Sequence, residues 1–195
     1  ILRKINIGII KKYQKMNLSI KKRSKINKIG YLIITRLGSE RLKEKAKLKI
    51  NNKSIIEIII LRLLKITTKK NIVICTSKNE NNIFYKKLVK KYKIKFFEGS
   101  NTNVLERMLL CSNKNNFEYV FRITGDNPLI DFDFIEKVKK LSNIYKKDYY
   151  YCNNIPRGMR SELIKVFALE RLSKLIIDAN SSEYLSYYFF RKDFF

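Results

Sequence analysis

The sequence predicts an α/β fold, a three-layer α/β/α sandwich with a mostly parallel sheet. Short apolar segments alternate regularly with segments of helical period, which is typical of successive βαβ units. The chain has 195 residues, of which 45% are hydrophobic, so it can bury a core of ordinary size. Residues 1–28 form a basic N-terminal extension without an assigned role, and residues 29–195 are interpreted as the folded domain.

The first predicted strand, 31–35, is apolar and β-branched or aromatic, as expected of a buried parallel strand. The loop that follows gathers cations and a hydroxyl around one glycine: Arg36, Gly38, Ser39, Arg41 and Lys45. Glycine lets backbone N–H groups close on an anion, and open α/β sheets bind ligands beyond the carboxyl ends of their strands. The loop is therefore a candidate polyphosphate site, although in a chain with 43 Lys and Arg residues it could also be ordinary surface charge.

The later strands are short, apolar and rich in β-branched or aromatic residues. They are predicted over 72–75, 94–97, 119–123 and 149–152, with an extended piece over 161–166. Helices are predicted where apolar residues recur at helical spacing. They cover 55–66, 80–92, a segment from 104, 132–141, 167–177 and 183–190. Ser54, Asp131 and Ser182 are predicted N-caps, and Glu57 stands at the capping-box position for Ser54.

The second informative stretch is RITGDNP, residues 122–128, in which Asp126 follows a buried strand behind a glycine. A carboxylate in that position can hold Mg²⁺, which needs only one or two protein carboxylates beside phosphate oxygens and water. Taken alone, Asp126 is better explained as a turn residue before a proline. The basic loop changes that balance, because both turns leave parallel strands at the same sheet edge and together supply the cations and the metal ligand of nucleotidyl transfer.

Composition argues against several classes of function. The formal charge of +26 suggests nucleic-acid binding, but the lysines are spread along the whole chain, so we expect no nucleic-acid partner. The three cysteines stand singly and histidine is absent, which argues against a zinc site and favours reduced thiols in the cytoplasm. The longest apolar run, 55–64, is too short to span a membrane.

Five motifs, in the same order along the chain, resemble the acylneuraminate cytidylyltransferase superfamily of CMP-sugar synthetases and spore-coat polysaccharide SpsF-like proteins. They are TRLGSERLKEK (35–45), ICTS (74–77), GSNTNVLER (99–107), RITGDNPLID (122–131) and SEYLSYYF (182–189). The resemblance implies a Rossmann-like nucleotide-diphospho-sugar transferase fold. It also implies a CTP-dependent enzyme: the hydroxyl of a sugar acid attacks the α-phosphate, releases pyrophosphate and gives a CMP-sugar for a surface polysaccharide or glycan.

The resemblance also implies roles for matching positions. Arg41 and Lys45 are expected to neutralise charge on the α-phosphate and the leaving pyrophosphate, and Asp126 to hold the cofactor Mg²⁺. The implied nucleotide-binding residues are Thr35, Arg36, Leu37, Gly38, Ser39, Thr76, Ser77 and Arg107. The implied substrate-binding residues are Asn127, Glu162, Ser182 and Glu183. Arg122 is expected to order the acidic turn rather than to touch substrate.

Three departures from the family pattern bear on activity. Glu44 places an anion beside the phosphate site, in a segment where the family usually has Pro-Gly. Tyr184 stands where sialic-acid members often have a histidine, which favours the SpsF-like branch. The family continues beyond the position of Phe195, so the domain is expected to be truncated at its C-terminus. A catalytically impaired sugar-nucleotide binding protein is therefore the alternative, and the aromatic residues 184–190 are expected to form either a homodimer surface or a core helix.

Overall fold

The computed structural model describes residues 28–37, 44–78, 82–141, 147–176 and 185–190. Its strands are β1 (Ile29–Thr35), β2 (Lys49–Ile50), β3 (Lys53–Ser54), β4 (Ile72–Ser77), β5 (Lys95–Gly99), β6 (Tyr119–Thr124), β7 (Tyr149–Tyr150) and β8 (Glu162–Lys165). Its α-helices are α1 (Ile55–Leu63), α2 (Ile83–Tyr92), α3 (Val104–Lys114), α4 (Phe132–Lys140), α5 (Val166–Leu175) and α6 (Leu185–Phe189). Short 3₁₀ turns cover Lys45–Lys47, Lys69–Asn71 and Arg157–Met159.

A six-stranded sheet in the order β5-β4-β1-β6-β8-β7 forms the middle layer. The four strands from β5 to β6 run parallel, whereas β8 runs antiparallel to both β6 and β7. The predicted α/β class with a mostly parallel sheet is therefore confirmed. The segment expected to be an extended piece over 161–166 is a full member of the sheet, and it separates β6 from β7.

Helices cover both faces of this sheet, so the predicted three layers are present. On one face, α1, α2 and α4 pack against alternate strand residues such as Ile33, Ile74 and Phe121. On the other face, α3, α5 and α6 pack against the intervening residues, such as Leu32 and Val73. Alternation along each strand, with both sets of side chains buried, is the pattern of a parallel sheet between two helical layers.

Helix α1 begins at the predicted cap, because the Ser54 hydroxyl accepts a hydrogen bond from the backbone N–H of Glu57. The Glu57 carboxylate accepts hydrogen bonds from Lys91 Nζ at 2.7 Å and Tyr92 Oη at 2.5 Å, both near the end of α2. These two bonds, with a smaller contribution from the backbone of Ser54, lower the pKa of Glu57 although burial opposes them. The first turn of α1 is thus hydrogen-bonded, through Glu57, to the end of α2.

Glu57 gives a pH-dependent prediction. The fold lowers the pKa of Glu57, so the ionised carboxylate stabilises the protein at pH values above its ordinary pKa of 4.5. This stabilisation disappears as the pH falls through the lowered pKa. At pH 7, Glu57→Gln is expected to reduce the unfolding free energy by ~1 kcal/mol, and in acid the difference from wild type should close. Urea unfolding at several pH values measures it, with the exposed Glu136→Gln as control. A gap that does not change with pH would contradict the assignment.

A small β2–β3 hairpin joins the basic loop to α1. Its turn residues Asn51 and Asn52 both have positive φ, 47° and 64°, the backbone of the tight hairpin turn in which asparagine is favoured. The backbone N–H of Ile55 donates to the Leu48 carbonyl at 2.8 Å, which ties the start of α1 to the segment after the 3₁₀ turn. The hairpin was not predicted from the sequence.

The described part of the C-terminal aromatic segment, residues 185–190, packs on this chain's own sheet. Leu185 is fully buried on the face of the sheet that α3 and α5 cover, and the Phe189 ring stacks on Tyr149 with centroids 4.4 Å apart. Tyr187 and Phe190 remain 62% and 54% exposed. Of the two expectations, the core helix accounts for residues 185 and 189, and the homodimer surface stays a prediction. Within the described residues, no helix is long and apolar enough to cross a membrane.

Candidate active site

The carboxyl ends of four adjacent strands form the floor of the candidate site. In the sheet register Thr35 lies opposite Thr76, and Ile34 lies opposite Thr124. Beyond them, Ser77 lies opposite Gly99. The segments that leave β1, β4, β5 and β6 therefore start side by side at one edge, which is where parallel sheets bind ligands.

Lys45, at the end of the basic loop, meets the acidic turn at this edge, as the sequence predicted for the two strand ends. Lys45 Nζ lies 2.9 Å from Asp126 Oδ2, although the residues are 81 positions apart in sequence. Both side chains are close to half exposed, at 41% and 49%. The pair can thus be reached from solvent, and an arriving anion or cation can compete for either partner.

The charge of Asp126 is stabilised by its surroundings. Burial works to raise the pKa of its carboxyl, but the Lys45 ammonium and a hydrogen bond from the Thr124 side chain outweigh burial, so the pKa is lowered. Asp126 is therefore an ionised carboxylate at neutral pH. An ionised oxygen donor facing solvent is what Mg²⁺ requires of the protein.

The acidic turn is held close to β1 by Gly125. Its backbone N–H donates to the Ile34 carbonyl at 2.8 Å. A Cβ added to Gly125 would lie 2.5 Å from Thr35 Cβ and 2.7 Å from Thr35 Oγ1, which is too close for any side chain. The glycine thus permits the approach that brings Asp126 over the end of the first strand.

Glu44 is adjacent to the site but does not act as a free anion. It adopts a left-handed backbone conformation with φ of 55°, and its carboxylate pairs with Lys47. The adverse charge inferred from the sequence is therefore balanced within the same turn. Of the other residues in the predicted phosphate loop, Leu37 is buried in the core and Arg36 is exposed. Gly38, Ser39 and Arg41 lie outside the described residues.

Two of the predicted nucleotide-binding residues lie at the end of β4, and both are buried. Thr76 is fully buried and its hydroxyl has no hydrogen-bond partner among the described residues. The Ser77 carbonyl accepts a 2.8 Å hydrogen bond from Asn82 Nδ2, which also donates to Glu98 Oε1 at 2.7 Å. The Asn82 amide thus clamps the ends of β4 and β5 together, and the nucleotide-binding roles of Thr76 and Ser77 stay predictions.

Arg107 is also buried, with 1% of its surface exposed. Its Nη1 donates to the Ser100 carbonyl at 2.6 Å, and its Cγ lies so near Gly99 that a Cβ there would come within 2.9 Å. The position suits a residue that fixes the loop between β5 and α3. The expectation that Arg107 shapes the nucleotide pocket stays a prediction, and the contacts point to an indirect way of doing so.

The predicted substrate-binding residues divide into two groups. Asn127 is buried in the acidic turn and its Nδ2 donates to the Arg160 carbonyl at 3.4 Å, which joins this turn to the segment before β8. Glu162 Oε2 is 3.0 Å from Arg122 Nη1, and both side chains are mostly buried. Glu162 also lines a pocket with Tyr149, Tyr151, Cys152, Asn153, Arg160, Ser161 and Phe190. Ser182 and Glu183 lie outside the described residues.

The Arg122–Glu162 pair predicts a large effect on stability. Arg122→Met is expected to lower the unfolding free energy by about 2–4 kcal/mol, because Glu162 would keep its charge in a mostly buried place without its cationic partner. Lys174→Met removes the partner of the exposed Glu170 and should cost less than about 0.5 kcal/mol. Urea denaturation compares the two variants, and equal effects would show that the Arg122 pair contributes no more than a surface contact.

The donor set at the acidic turn fits a magnesium ion that is shared with a bound phosphate. Among the described residues, no group of three or more His, Cys, Asp and Glu side chains could form a metal site from protein ligands alone. Mg²⁺ usually keeps several waters and needs only one or two carboxylates when phosphate oxygens complete its shell. Asp126 provides one ionised, half-exposed carboxylate, which fits that mode of binding.

Sequence reasoning missed three residues that organise this edge of the sheet. The Tyr85 hydroxyl is 2.8 Å from Thr35 Oγ1, and Asn82 forms the clamp described above. Arg62 Nη2 donates to the Ile130 carbonyl at 2.9 Å, and its guanidinium lies over the Phe132 ring. Tyr85 occupies an apolar position of a helix, and Asn82 precedes a helix. Arg62 interrupts an otherwise apolar run, and this charge inside a buried helix was the one readable signal.

Residues 31–194 match the cytidylyltransferase family. An uncharacterized protein of Methanocaldococcus jannaschii, MJ1063, is 33% identical over 164 residues, which are 84% of this chain and 67% of that protein. The spore coat polysaccharide biosynthesis protein SpsF of Bacillus subtilis is 26% identical over 154 residues, which are 77% of this chain and 64% of that protein. The structure of a cytidylyltransferase from Leptospira borgpetersenii matches with a TM-score of 0.75 and 26% identity, covering 82% of this chain and 69% of that one.

The chain thus spans about two thirds of the length of each of these proteins. The match over 31–194 includes both turns of the candidate site and all the predicted site residues. It confirms the resemblance to the CMP-sugar synthetase superfamily that the five motifs indicated. The chain belongs to the cytidylyltransferase family.

Proposed function

We propose that the protein transfers CMP from CTP to the hydroxyl of a sugar acid and releases pyrophosphate. The observation that carries this proposal is the contact between Lys45 and Asp126, which brings a solvent-accessible cation and an ionised carboxylate to one edge of a parallel sheet. Membership of the cytidylyltransferase family supports CTP as the nucleotide. The relative SpsF, named for spore coat polysaccharide biosynthesis, supports a surface polysaccharide as the destination of the product.

In the proposed reaction, the oxygen of the acceptor hydroxyl forms a bond to the α-phosphorus. The bond from that phosphorus to the bridging oxygen breaks, pyrophosphate leaves with the electron pair, and the hydroxyl proton passes to solvent. Lys45 stabilises the negative charge that grows on the α-phosphate and the leaving group. Arg41, Arg36 and Ser39 are proposed to hold the triphosphate from the same loop. Positioning and charge neutralisation supply most of the rate in such transfers.

Asp126 is proposed to hold Mg²⁺, which when bound neutralises phosphate charge and orients the α-phosphate. The residues of this chain prepare that binding. Lys45 and Thr124 keep the carboxylate ionised, and Gly125 holds the turn against β1. On binding, Lys45 exchanges the carboxylate for the triphosphate, so that neither charge is left without a partner.

The acceptor is proposed to bind on the side of the site that carries β8. Asn127 joins the acidic turn to Arg160, and Arg160 and Glu162 line the neighbouring pocket with Tyr151 and Phe190. Carboxylate, guanidinium and aromatic groups are suited to the hydroxyls, the acid group and the ring face of a sugar acid. Ser182 and Glu183 are proposed acceptor contacts from the family resemblance alone.

The direct test is product formation. The protein is incubated with Mg²⁺, one of CTP, UTP, ATP or GTP, and a panel of nonulosonic and octulosonic acids, and pyrophosphate and product mass are measured. We expect pyrophosphate only when CTP and an acceptor are both present, with a product heavier than the acceptor by one CMP group. CTP binding without pyrophosphate from any acceptor would favour the impaired binding protein, and no CTP binding would overturn the proposal.

A further inference from the structure

Tyr85 is a fully buried tyrosine that lies under the candidate site. It belongs to α2, and its hydroxyl is 2.8 Å from Oγ1 of Thr35, the last residue of β1. Burial raises the pKa of Tyr85 to about 12, so the phenol is neutral at physiological pH. A buried phenol oxygen needs a hydrogen-bond partner, and here the partner is at the strand end from which the basic loop departs.

Thr35 is confined on its other side by the acidic turn. The Gly125 backbone leaves no room for a Cβ, which would lie 2.5 Å from Thr35 Cβ. The Gly125 N–H is bonded to the Ile34 carbonyl, one residue before Thr35. Thr35 Oγ1 therefore contacts Tyr85 and also lies against Gly125, where an added Cβ would come within 2.7 Å of it, so the bond to Tyr85 holds the threonine rotamer in place.

The chain of contacts therefore runs from α2 through the end of β1 into the acidic turn. The Tyr85 hydroxyl fixes Thr35, Thr35 lies in contact with Gly125, and the next residue, Asp126, faces Lys45 at 2.9 Å. A change at the first contact is expected to appear at the last, because Thr35 and Gly125, which connect the two contacts, are both buried.

We propose that Tyr85 is a positioning residue of the nucleotidyl-transfer site: through Thr35 it sets the Gly125 turn and thereby the placement of Asp126 relative to Lys45. It is not expected to touch CTP or the acceptor, because it is fully buried. Its role in turnover rests on the proposed function. Its effect on the turn does not, and the two can be measured separately.

The matched control is Tyr31, which is also buried in the same core. Burial likewise raises the pKa of Tyr31 to about 12, and its hydroxyl is likewise hydrogen-bonded to a threonine, Thr67. It lies four residues before Thr35 on β1, about 13 Å from the site along an extended strand. Tyr31→Phe and Tyr85→Phe therefore remove the same group from the same kind of surroundings at different distances from the acidic turn.

The first measurement is hydrogen exchange of the Gly125 amide by NMR in the full chain. We expect exchange to be about 10-fold faster in Tyr85→Phe than in wild type and unchanged in Tyr31→Phe, while the melting temperature falls similarly in both. Thr35→Val should reproduce the effect, Thr35→Ser should preserve slow exchange, and the double variant Tyr85→Phe/Thr35→Val should be no worse than either single change. Equal exchange rates in Tyr85→Phe and Tyr31→Phe would overturn the inference.

The second measurement is turnover with CTP, Mg²⁺ and an acceptor. We expect kcat to fall about 10-fold in Tyr85→Phe with KM for CTP within about twofold, whereas Tyr31→Phe keeps both values. In an active wild type, an unchanged kcat in Tyr85→Phe would overturn the role in the reaction. If wild type itself makes no product, the proposed function fails, and the Gly125 exchange rates still decide whether Tyr85 sets the turn.

Discussion

Asp126→Asn is expected to reduce pyrophosphate release at least about 100-fold, because the substitution removes the carboxylate that is proposed to hold Mg²⁺. Asparagine keeps the shape of the turn and can still accept a hydrogen bond from Lys45. The melting temperature should therefore stay close to that of wild type, since the side chain is half exposed. Initial rates at saturating CTP, measured over a range of Mg²⁺ concentrations, give the effect.

Asp133→Asn is the matched control for this prediction. Asp133 is an exposed aspartate in the first turn of α4, seven positions further along the chain, and its loss removes the same charge from the same region. We expect its activity to remain within about twofold of wild type. A comparable loss of activity in both variants would mean that net charge rather than a metal ligand explains the effect, and an active Asp126→Asn enzyme would remove Asp126 from the mechanism.

Lys45→Met is expected to lower kcat/KM by about 10²–10³-fold, because one preorganised cation facing the transferred phosphate is typically responsible for that much transition-state stabilisation. Lys45→Arg keeps the charge and should retain part of the activity. The loss of Lys45 also removes a partner that lowers the pKa of Asp126, so in Lys45→Met that pKa should return towards its ordinary value. Steady-state kinetics and titration of the Asp126 carboxyl by NMR measure the two effects.

Lys47→Met provides the control for Lys45. Both lysines belong to the same 3₁₀ turn, but Lys47 pairs with Glu44 rather than with Asp126. Its loss should release the Glu44 carboxylate near the phosphate site, and we expect a several-fold increase in KM for CTP with little change in kcat. If Lys47→Met and Lys45→Met are equally impaired in kcat, the special role assigned to the Asp126 partner is wrong.

The meeting of Lys45 and Asp126 could be predicted from the sequence for a general reason. Two buried β-branched strands linked through helices run parallel, and parallel strands place their carboxyl ends at one sheet edge. The residues that follow β1 and β6 are therefore predicted to be neighbours from the sequence alone. This prediction does not depend on where the strands between β1 and β6 in sequence lie in the sheet.

The direction of β8 could not be predicted in the same way. An extended segment of four residues has the same alternation in either direction, and only its pairing with residues 119–122 of β6 reveals the antiparallel register. Glu44 was interpreted as adverse from its position in the loop alone. The neutralising Lys47 stands three residues on, at a spacing that brings side chains together in a helical turn, so this pairing was readable.

The contacts of Tyr85 and Asn82 could not be predicted from the sequence either. A tyrosine on the apolar face of a helix is indistinguishable by pattern from any core aromatic, and what its hydroxyl reaches depends on tertiary packing. Asn82 resembles an ordinary residue before a helix, yet its amide joins Ser77 to Glu98 across two strands. Periodicity identifies which side chains are buried, but it contains no information about which polar tips meet.

The central claim is that Lys45 and Asp126 form one site for a metal-bound CTP, and calorimetric titration of CTP into the protein tests it most directly. The titration is made with Mg²⁺ and again in EDTA, for wild type and for Asp126→Asn. We predict that wild type binds CTP at least about 10-fold more tightly with Mg²⁺ than without it, and that Asp126→Asn shows little dependence on the metal. Equal affinity of wild type in Mg²⁺ and in EDTA, or an undiminished metal dependence in Asp126→Asn, would contradict it.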